Sequence, residues 1–290
     1  MATQTCWNYW LQLKDEYCPH MKDLSNLAPE IKFLGVLAAT WHAVLMKVQI
    51  DEKIYALKLY RLMTPHWHRK TFKYHAITSD PFFGECQAYS ILTGDDLNGK
   101  IGATCYGWLT ISKDQENRVI RMMYREGKYF AREHSYKEVV LDDWHRRADT
   151  ASEPVRGLLL EYIDGYNLDQ VPSPPVNAQS LREKLAKLHS LDIVHADFKA
   201  SNIMVTKDGE GVLIDFGSAE IWPNVRISRE RFDAWKTQEA NRLEYYMFRL
   251  QSLKCFQGVK LTSATSAEEA LQYPESVFVR AEFQPGEACV

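Results

Sequence analysis

Within twenty-three residues, His195 to Gly217, the chain sets a histidine, two aspartates, a lysine and an asparagine at fixed offsets. The run is His195-Ala196-Asp197-Phe198-Lys199-Ala200-Ser201-Asn202, with Asp215-Phe216-Gly217 beginning thirteen residues beyond the asparagine. Carboxylate and amide oxygens are the donors hard divalent cations take, and a lysine ammonium is a compact charge for anionic oxygens. These residue types would serve chemistry on a phosphoryl group, which asks for positioning and charge neutralisation more than covalent work. The plainer alternative is that Asp197 and Asp215 merely hydrogen-bond the backbones of their own loops.

Such groups need rigid supports. Ile203-Met204-Val205 and Val212-Leu213-Ile214 are predicted strands between Asn202 and Asp215. A helix from about Ala178 to His189 precedes them, with Leu181, Leu185 and Leu188 on one side. Further upstream, Ala43–Ile50 and Ile54–Tyr60 flank Asp51-Glu52-Lys53 and read as an antiparallel hairpin. In its second strand Lys58 projects from the face opposite Leu57, between apolar neighbours. Gly84–Leu92 reads as a helix with Glu85 in its first turn, where an exposed glutamate is also favoured by the helix dipole. Strand-like sequence follows at Ile101–Ile111 and again at Gly157–Ile163, around a charged insertion at 112–154 with some helical content. Trp7, Trp10, Leu11, Leu13 and Tyr17 give residues 1–30 the pattern of a short helical extension. Val171-Pro172-Ser173-Pro174-Pro175 is a linker, Ser228 to about Leu250 a long helix, and Thr265-Ser266-Ala267-Glu268 a capping box. His66 and His68 lack a carboxylate or cysteine at a supporting spacing and read as part of a solvated loop.

The His195–Asn202 segment and Asp215-Phe216-Gly217 resemble the catalytic loop and magnesium-binding motif of the protein kinase-like superfamily, and the resemblance runs over about residues 31–220. It implies an α+β, bilobal fold, with an antiparallel-sheet N-lobe at 31–163 and a mainly helical, shortened C-lobe at 164–290. It implies that Asp197 orients the acceptor hydroxyl and takes its proton, that Lys199 meets the γ-phosphate, and that Asn202 and Asp215 hold Mg²⁺. Lys58 would contact the α- and β-phosphates and Glu85 would orient it. Leu160 would be the gatekeeper, the backbones of Glu161 and Ile163 would meet adenine, and Gly35 and Val44 would lie over the nucleotide.

The pattern also departs from the family. After Gly35 the later glycines of the phosphate lid are replaced in Val36-Leu37-Ala38-Ala39-Thr40-Trp41-His42. Ala196 stands where regulated kinases carry an arginine that pairs with a phosphorylated loop. No Ala-Pro-Glu follows Gly217. Aminoglycoside and choline kinases share a similar His-x-Asp, Asn and Asp layout, whereas Lys199 and the Asp-Phe-Gly lean towards protein kinases. The resemblance therefore implies an ATP- and Mg²⁺-dependent phosphotransferase of atypical type acting on Ser/Thr hydroxyls. A kinase for a small hydroxylated acceptor is the alternative, and so is a pseudokinase that binds protein partners through residues 1–30 or 112–154.

Composition excludes little beyond extremes. The chain has 290 residues, 46% hydrophobic, and a net charge of −3, so nothing draws it generally to nucleic acid or to an anionic membrane. Six scattered cysteines without a C-x-x-C pair read as free thiols of a reducing compartment. With no secretory leader in the opening residues, the expected setting is intracellular: the cytoplasm, with the nucleus open.

Overall fold

Val44, Met46, Val48 and Ile50 alternate with Ala43, Leu45, Lys47 and Gln49. That period of two lets one strand bury both of its faces in different cores. In the computed structural model of the chain, which describes residues 6–62, 80–128, 141–148, 150–170, 176–223 and 227–258, this happens throughout one sheet. Its strands are β1 (Lys32–Ala39), β2 (Ala43–Ile50), β3 (Lys53–Tyr60), β4 (Cys105–Ile111) and β5 (Val155–Glu161), in the order β1-β2-β3-β5-β4. All four neighbour pairs are antiparallel.

The two faces have separate cores. Val44, Met46, Leu57 and Leu59 pack on the outer face with Val119, Met123 and Trp144. Ala43, Ala56, Tyr60 and Leu158 pack on the inner face with Phe82, Tyr89 and Phe216. Lys58 pairs with Leu45, and Val44 with Leu59, so Lys58 belongs to the inner face and Val44 to the outer.

Helix α1 (Cys6–Tyr17) lays Trp10 fully buried against Phe82, Phe83 and Trp108, edge to face at 4.8–5.5 Å. The chain then runs along β4, where Leu24 N donates to Trp108 O and Trp108 N to Lys22 O. Gly107, at φ 150°, makes this approach possible, because a Cβ there would sit 2.4 Å from Lys22 O. The helical segment at the start of the chain is thus built into the lobe, and the edge of β4 is covered.

Helix α2 (Pro81–Gly94) starts three residues earlier than its sequence pattern predicts. Pro81 occupies its first position, and Asp80 caps it by accepting from Phe82 N at 3.1 Å. Asp80 is itself buried and ion-paired with Arg156 at 2.8 Å. The charged segment after Ile111 opens with helix α3 (Lys113–Arg125), entered through a reciprocal capping box between Ser112 and Gln115. Val119 and Met123 turn inward to the outer core, which explains why so charged a stretch still packs.

The second lobe holds α4 (Ala178–Ser190), α5 (Arg229–Gly258) and a small sheet of β6 (Gly165–Asn167), β8 (Ile203–Thr206) and β9 (Gly211–Leu213). Between them β7 (Ile193–Val194) pairs with β10 (Glu220–Ile221). Leu181, Leu185 and Leu188 are buried, as their spacing predicts. Leu213 exchanges backbone bonds with Ile101 and Ala103 and so stitches the two lobes together. The strand expected from Ile101 begins at Cys105, since residues 101–103 serve that junction. The histidines at 66, 68 and 75, the linker at 171–175 and the capping box at 265–268 lie outside the described residues. No described helix is long and apolar enough to cross a membrane. The described cysteines at 18, 86 and 105 are free, buried thiols.

Candidate functional site

Lys58 stands on the inner face of β3, where α2 and the start of the second lobe converge. Its Nζ donates to Glu85 Oε2 on α2 and to Asp215 Oδ1, at 2.5 Å each. Burial alone would lower the Lys58 pKa, but the Glu85 and Asp215 carboxylates outweigh it and raise it. In return the ammonium holds the Asp215 carboxyl down at about 2, against the opposing pull of burial.

Glu85 is fully buried rather than exposed, one turn deeper in α2 than expected. Tyr60, two residues beyond Lys58 and on the same face, donates its hydroxyl to the same Oε2. Burial first, and then the Glu85 charge, keep that phenol protonated. Glu85 Oε1 is buried with no hydrogen-bond partner among the described residues. The Asp215 side chain, in contrast, is 46% exposed, and its backbone is left-handed at φ 65°.

The residues of the His195–Asn202 loop stand together. Asp197 Oδ2 accepts from Lys199 Nζ at 2.7 Å and from Asn202 Nδ2 at 3.0 Å, and Asn202 Nδ2 also reaches Asp197 O at 2.9 Å. Asn202 is buried and points its amide nitrogen at the aspartate, while Asp197 and Lys199 face solvent. Ile214 N donates to Asn202 O at 3.0 Å, tying this loop to the residue before Asp215. His195, fully buried, donates Nε2–H to Ile214 O at 2.9 Å and packs on Phe216, which meets Tyr89 of α2 edge to face. An aromatic column therefore runs from the loop to α2. Gly84 lies where a Cβ would stand 3.4 Å from Gly217 O, so α2 and the Asp-Phe-Gly turn sit close together.

What anchors the loop is a residue of the long helix after Ser228 that no local motif singles out. Glu239, buried on α5, accepts from Ala196 N at 2.7 Å and from His195 N at 3.2 Å, and its Oε2 meets His189 Nε2 at 2.8 Å. Ala196 is held at φ 59°, a conformation that costs about 1 kcal/mol or more in a residue with a Cβ. A buried carboxylate across two consecutive amides is what holds it there. Further along α5, Arg242 Nη1 donates to Phe198 O, and Tyr246 stacks on the Phe198 ring. A charged residue at a core-facing position between Phe232 and Leu243 was the available signal.

Two of the positions implied for nucleotide contact stand elsewhere in the fold. Val44 is 1% exposed in the outer core, on the opposite face of the sheet from Lys58, and Ala43 and Leu45 take the inner positions instead. Gly35 lies inside β1, paired with Lys47, and faces the Glu126 carboxylate near the end of α3 rather than a lid. Neighbouring Val36 gives its N–H to Glu126 Oε2 at 3.0 Å and takes Lys128 Nζ on its carbonyl at 2.5 Å. Glu161 ends β5 with its N–H donated to Thr104 O at 2.8 Å, so any contact to adenine from Glu161 would fall to its carbonyl. Ile163 follows, half-buried, and Leu160 is buried in the inner core.

A residue outside the expected set completes the neighbourhood. His42, exposed in the β1–β2 turn pinned by the Thr40 hydroxyl, has its pKa lowered chiefly by partial desolvation against neighbouring protein while it feels the charges of Asp215, Lys58, Asp197 and Lys199. No group of three or more His, Cys, Asp or Glu among the described residues is placed to hold a metal.

Relatives agree with this geometry at the level of the fold family. A stretch of 84 residues is 43% identical to the human serine/threonine-protein kinase/endoribonuclease IRE2, covering 27% of this chain and 9% of that protein. Similarity extends to pkn2, a serine/threonine-protein kinase of Myxococcus xanthus, at 36% over 75 residues, covering 22% of this chain and 9% of pkn2. It also reaches mitogen-activated protein kinase kinase 7 of Arabidopsis thaliana, at 34% over 70 residues, covering 22% of this chain and 23% of that kinase. The chain thus spans less than a quarter of each of these curated relatives. A longer match covers residues 12–220, which take in the second half of α1, the whole five-stranded sheet, α2–α4 and the Asp-Phe-Gly turn. On that match the chain, kinase-related in sequence and fold, belongs to the family described as Kinetochore Sim4 complex subunit FTA2.

Proposed function

We propose that the chain is a Mg²⁺- and ATP-dependent phosphotransferase with an atypical, reduced kinase scaffold, transferring a γ-phosphoryl group to a Ser/Thr hydroxyl. The observation that carries this reading is Lys58 bound at once to Glu85 and Asp215, beside Asp197, Lys199 and Asn202. In this reading the N-lobe occupies 31–163 and the C-lobe 164–290, and the nucleotide lies between Lys58 and the Glu161–Ile163 hinge. Asp197 holds the acceptor hydroxyl and takes its proton, and Lys199 steadies the anionic oxygens that Asp197 would otherwise repel.

The donor set suits magnesium in kind. Asp215 offers a carboxylate that stays ionised far below neutrality and is half open to water. Asn202 keeps an amide oxygen free of its donor contacts to Asp197. Two protein oxygens are few, but Mg²⁺ keeps its waters and shares phosphate oxygens, so a dedicated protein cage is not needed. The ion would supply charge neutralisation on the phosphates.

A pseudokinase scaffold is the second reading, favoured by β1. Glu126 and Lys128 already occupy the Val36 amide and carbonyl, in the strand where a glycine-rich lid would keep amides for phosphate. The family's description speaks of a kinetochore complex subunit, and on either reading it points to protein partners and a nuclear setting rather than a cytoplasmic one. Thermal unfolding of the purified chain with ATP, with and without Mg²⁺, separates the two readings. A magnesium-dependent rise in Tm together with ATP turnover that Asp197→Ala abolishes supports the enzyme. No shift at millimolar nucleotide leaves the scaffold.

A further inference from the structure

The chain carries a net charge of −3, yet one groove on the outer side of its sheet is basic. Arg118, Arg121 and Arg125 follow one another along α3 at spacings of three and four residues, so they share a face. The opposite face of the helix buries Val119 and Met123. Against the arginine row stands a wall made by the 3₁₀ turn Ser25–Glu30 and the start of β1. Two hollows lie between them, of about 470 and 490 Å³, and they share Ile31 and Arg118, so they form one groove. Gln115 Nε2 donates to Ala28 O at 2.5 Å and fixes one wall to the other.

The floor is apolar: Ile31 is buried, and Phe33 and Met122 are half-buried against the outer core. The rim is cationic. Lys32, Arg118, Arg121 and Arg125 line the groove, against a single carboxylate, Asp114, at one end. Arg118 and Arg121 make no hydrogen bond or ion pair among the described residues, and Arg125 comes only within 3.8 Å of Glu126 at 72% exposure, a contact worth little. Arg121 and Arg125 are moreover like charges four apart on one helix, an arrangement that costs helix stability unless an anion lies between them.

We propose that this groove docks an acidic amphipathic segment of a partner protein, its carboxylates set along the arginine row and its apolar side chains over Ile31, Phe33 and Met122. Guanidinium groups pair with carboxylates in a two-pronged geometry that fixes register. Apolar side chains from the same segment would fill hollows that a phosphate backbone could not use. The acidic molecule as a whole repels long polyanions, while a short acidic segment meets the local field of the groove. The groove lies on the face of the sheet opposite Lys58, so its occupancy is independent of whether the chain transfers phosphate.

The test uses the full 290-residue chain and a displayed library of random short peptides. Sequences enriched on the wild type are synthesised, and their binding is followed by fluorescence anisotropy at physiological salt. They should be acidic with a stripe of apolar residues, lose affinity as salt rises, and bind the Arg118→Glu/Arg121→Glu variant about tenfold or more weakly. Both arginines are exposed, so an unchanged thermal melt shows that the variant folds. The idea fails if the enriched peptides are not acidic, or if charge reversal leaves their binding intact. It also fails if a duplex DNA oligonucleotide or a phosphatidylserine vesicle binds through these arginines more tightly than any peptide.

Discussion

Two buried charge clusters occupy opposite faces of the same sheet, and they are finished to different degrees. On the outer side Arg146, 2% exposed, spends its whole guanidinium. Nη1 meets Glu116 and Asp142, Nη2 meets Glu116 and Glu153 O, and Nε meets Glu153 O, at 2.6–3.0 Å. Every N–H of the fork has an acceptor, so the guanidinium is closed and serves to clamp α3 to Asp142 and Glu153. On the inner side Lys58 meets two carboxylates, but one oxygen of Glu85 is buried without a partner, and Asp215 is half open to water. An open valence beside a cleft is where a ligand completes the set, whereas a closed one only holds the protein together.

Breaking the closed cluster should cost the most stability. Arg146→Ala leaves the buried Glu116 with only the largely exposed Lys113 ammonium, at 3.0 Å, and should lower the unfolding free energy by about 3–5 kcal/mol in a denaturant titration. Replacing the pair, as Arg146→Met with Glu116→Leu, should recover most of that loss, because the burial penalty disappears with the charges. If the single and double variants lose equally, the cluster is not the clamp described. The open cluster should answer in function instead. Lys58→Met should reduce ATP turnover by about 10²–10³-fold and remove magnesium-dependent thermal stabilisation. It should cost folding stability too, because Asp215 relaxes into water but the fully buried Glu85 keeps only the Tyr60 hydroxyl. A Lys58→Met protein that turned over ATP normally would end the enzyme reading.

The difference between the clusters also marks what could be read in the sequence. Lys58, Asp197, Lys199, Asn202 and Asp215 are legible because their order and spacing survive as a local pattern, and the structure gathers them. Val44 misled because a period of two says that residues alternate but not which set faces the cleft. With the lid glycines absent nothing anchored that phase, and only the Lys58–Leu45 pairing decides it. Glu85 lies deeper than its pattern implies because the helix begins at the Asp80 cap and Pro81, ahead of the Gly84–Leu92 run. Its partner Tyr60 and the Glu116–Arg146 clamp depend on contacts across 25 and 30 residues that no spacing rule reports. Glu239 is of the same kind: helical periodicity marks an inward carboxylate as an interruption, not as an anchor for a loop forty-odd residues away.

That anchor gives a test of intermediate size. Glu239→Gln keeps the shape but turns an amide nitrogen or a weaker oxygen towards the His195 and Ala196 N–H groups. Losing buried bonds to a charged acceptor should cost about 1.5–3 kcal/mol on unfolding. Because Ala196 then loses its clamp at positive φ, turnover should fall with it while nucleotide stabilisation persists. Unchanged stability would mean that the left-handed turn supports itself.

The smallest effect is a pH dependence confined to the open cluster. Asp215 has a folded-state pKa of about 2, pulled down chiefly by Lys58, against about 3.9 for an aspartate in an unfolded chain. A depressed carboxyl adds stability above its unfolded pKa and loses it as pH falls through the folded one, so the contribution of Asp215 should fade between about pH 4 and pH 2. Asp215→Asn lacks that ionisation. The difference in unfolding free energy between wild type and variant should therefore be steady from neutrality to about pH 4 and shrink below it. Its size should stay modest, because the side chain is 46% exposed and water screens the pair. Salt discriminates further: the difference should narrow at high ionic strength for Asp215, whereas the dry Glu116–Arg146 contact, at 4% and 2% exposure, should barely respond. A salt-insensitive Asp215 would mean that the inner cluster is as closed as the outer, and the contrast between a site and a clamp would fall with it.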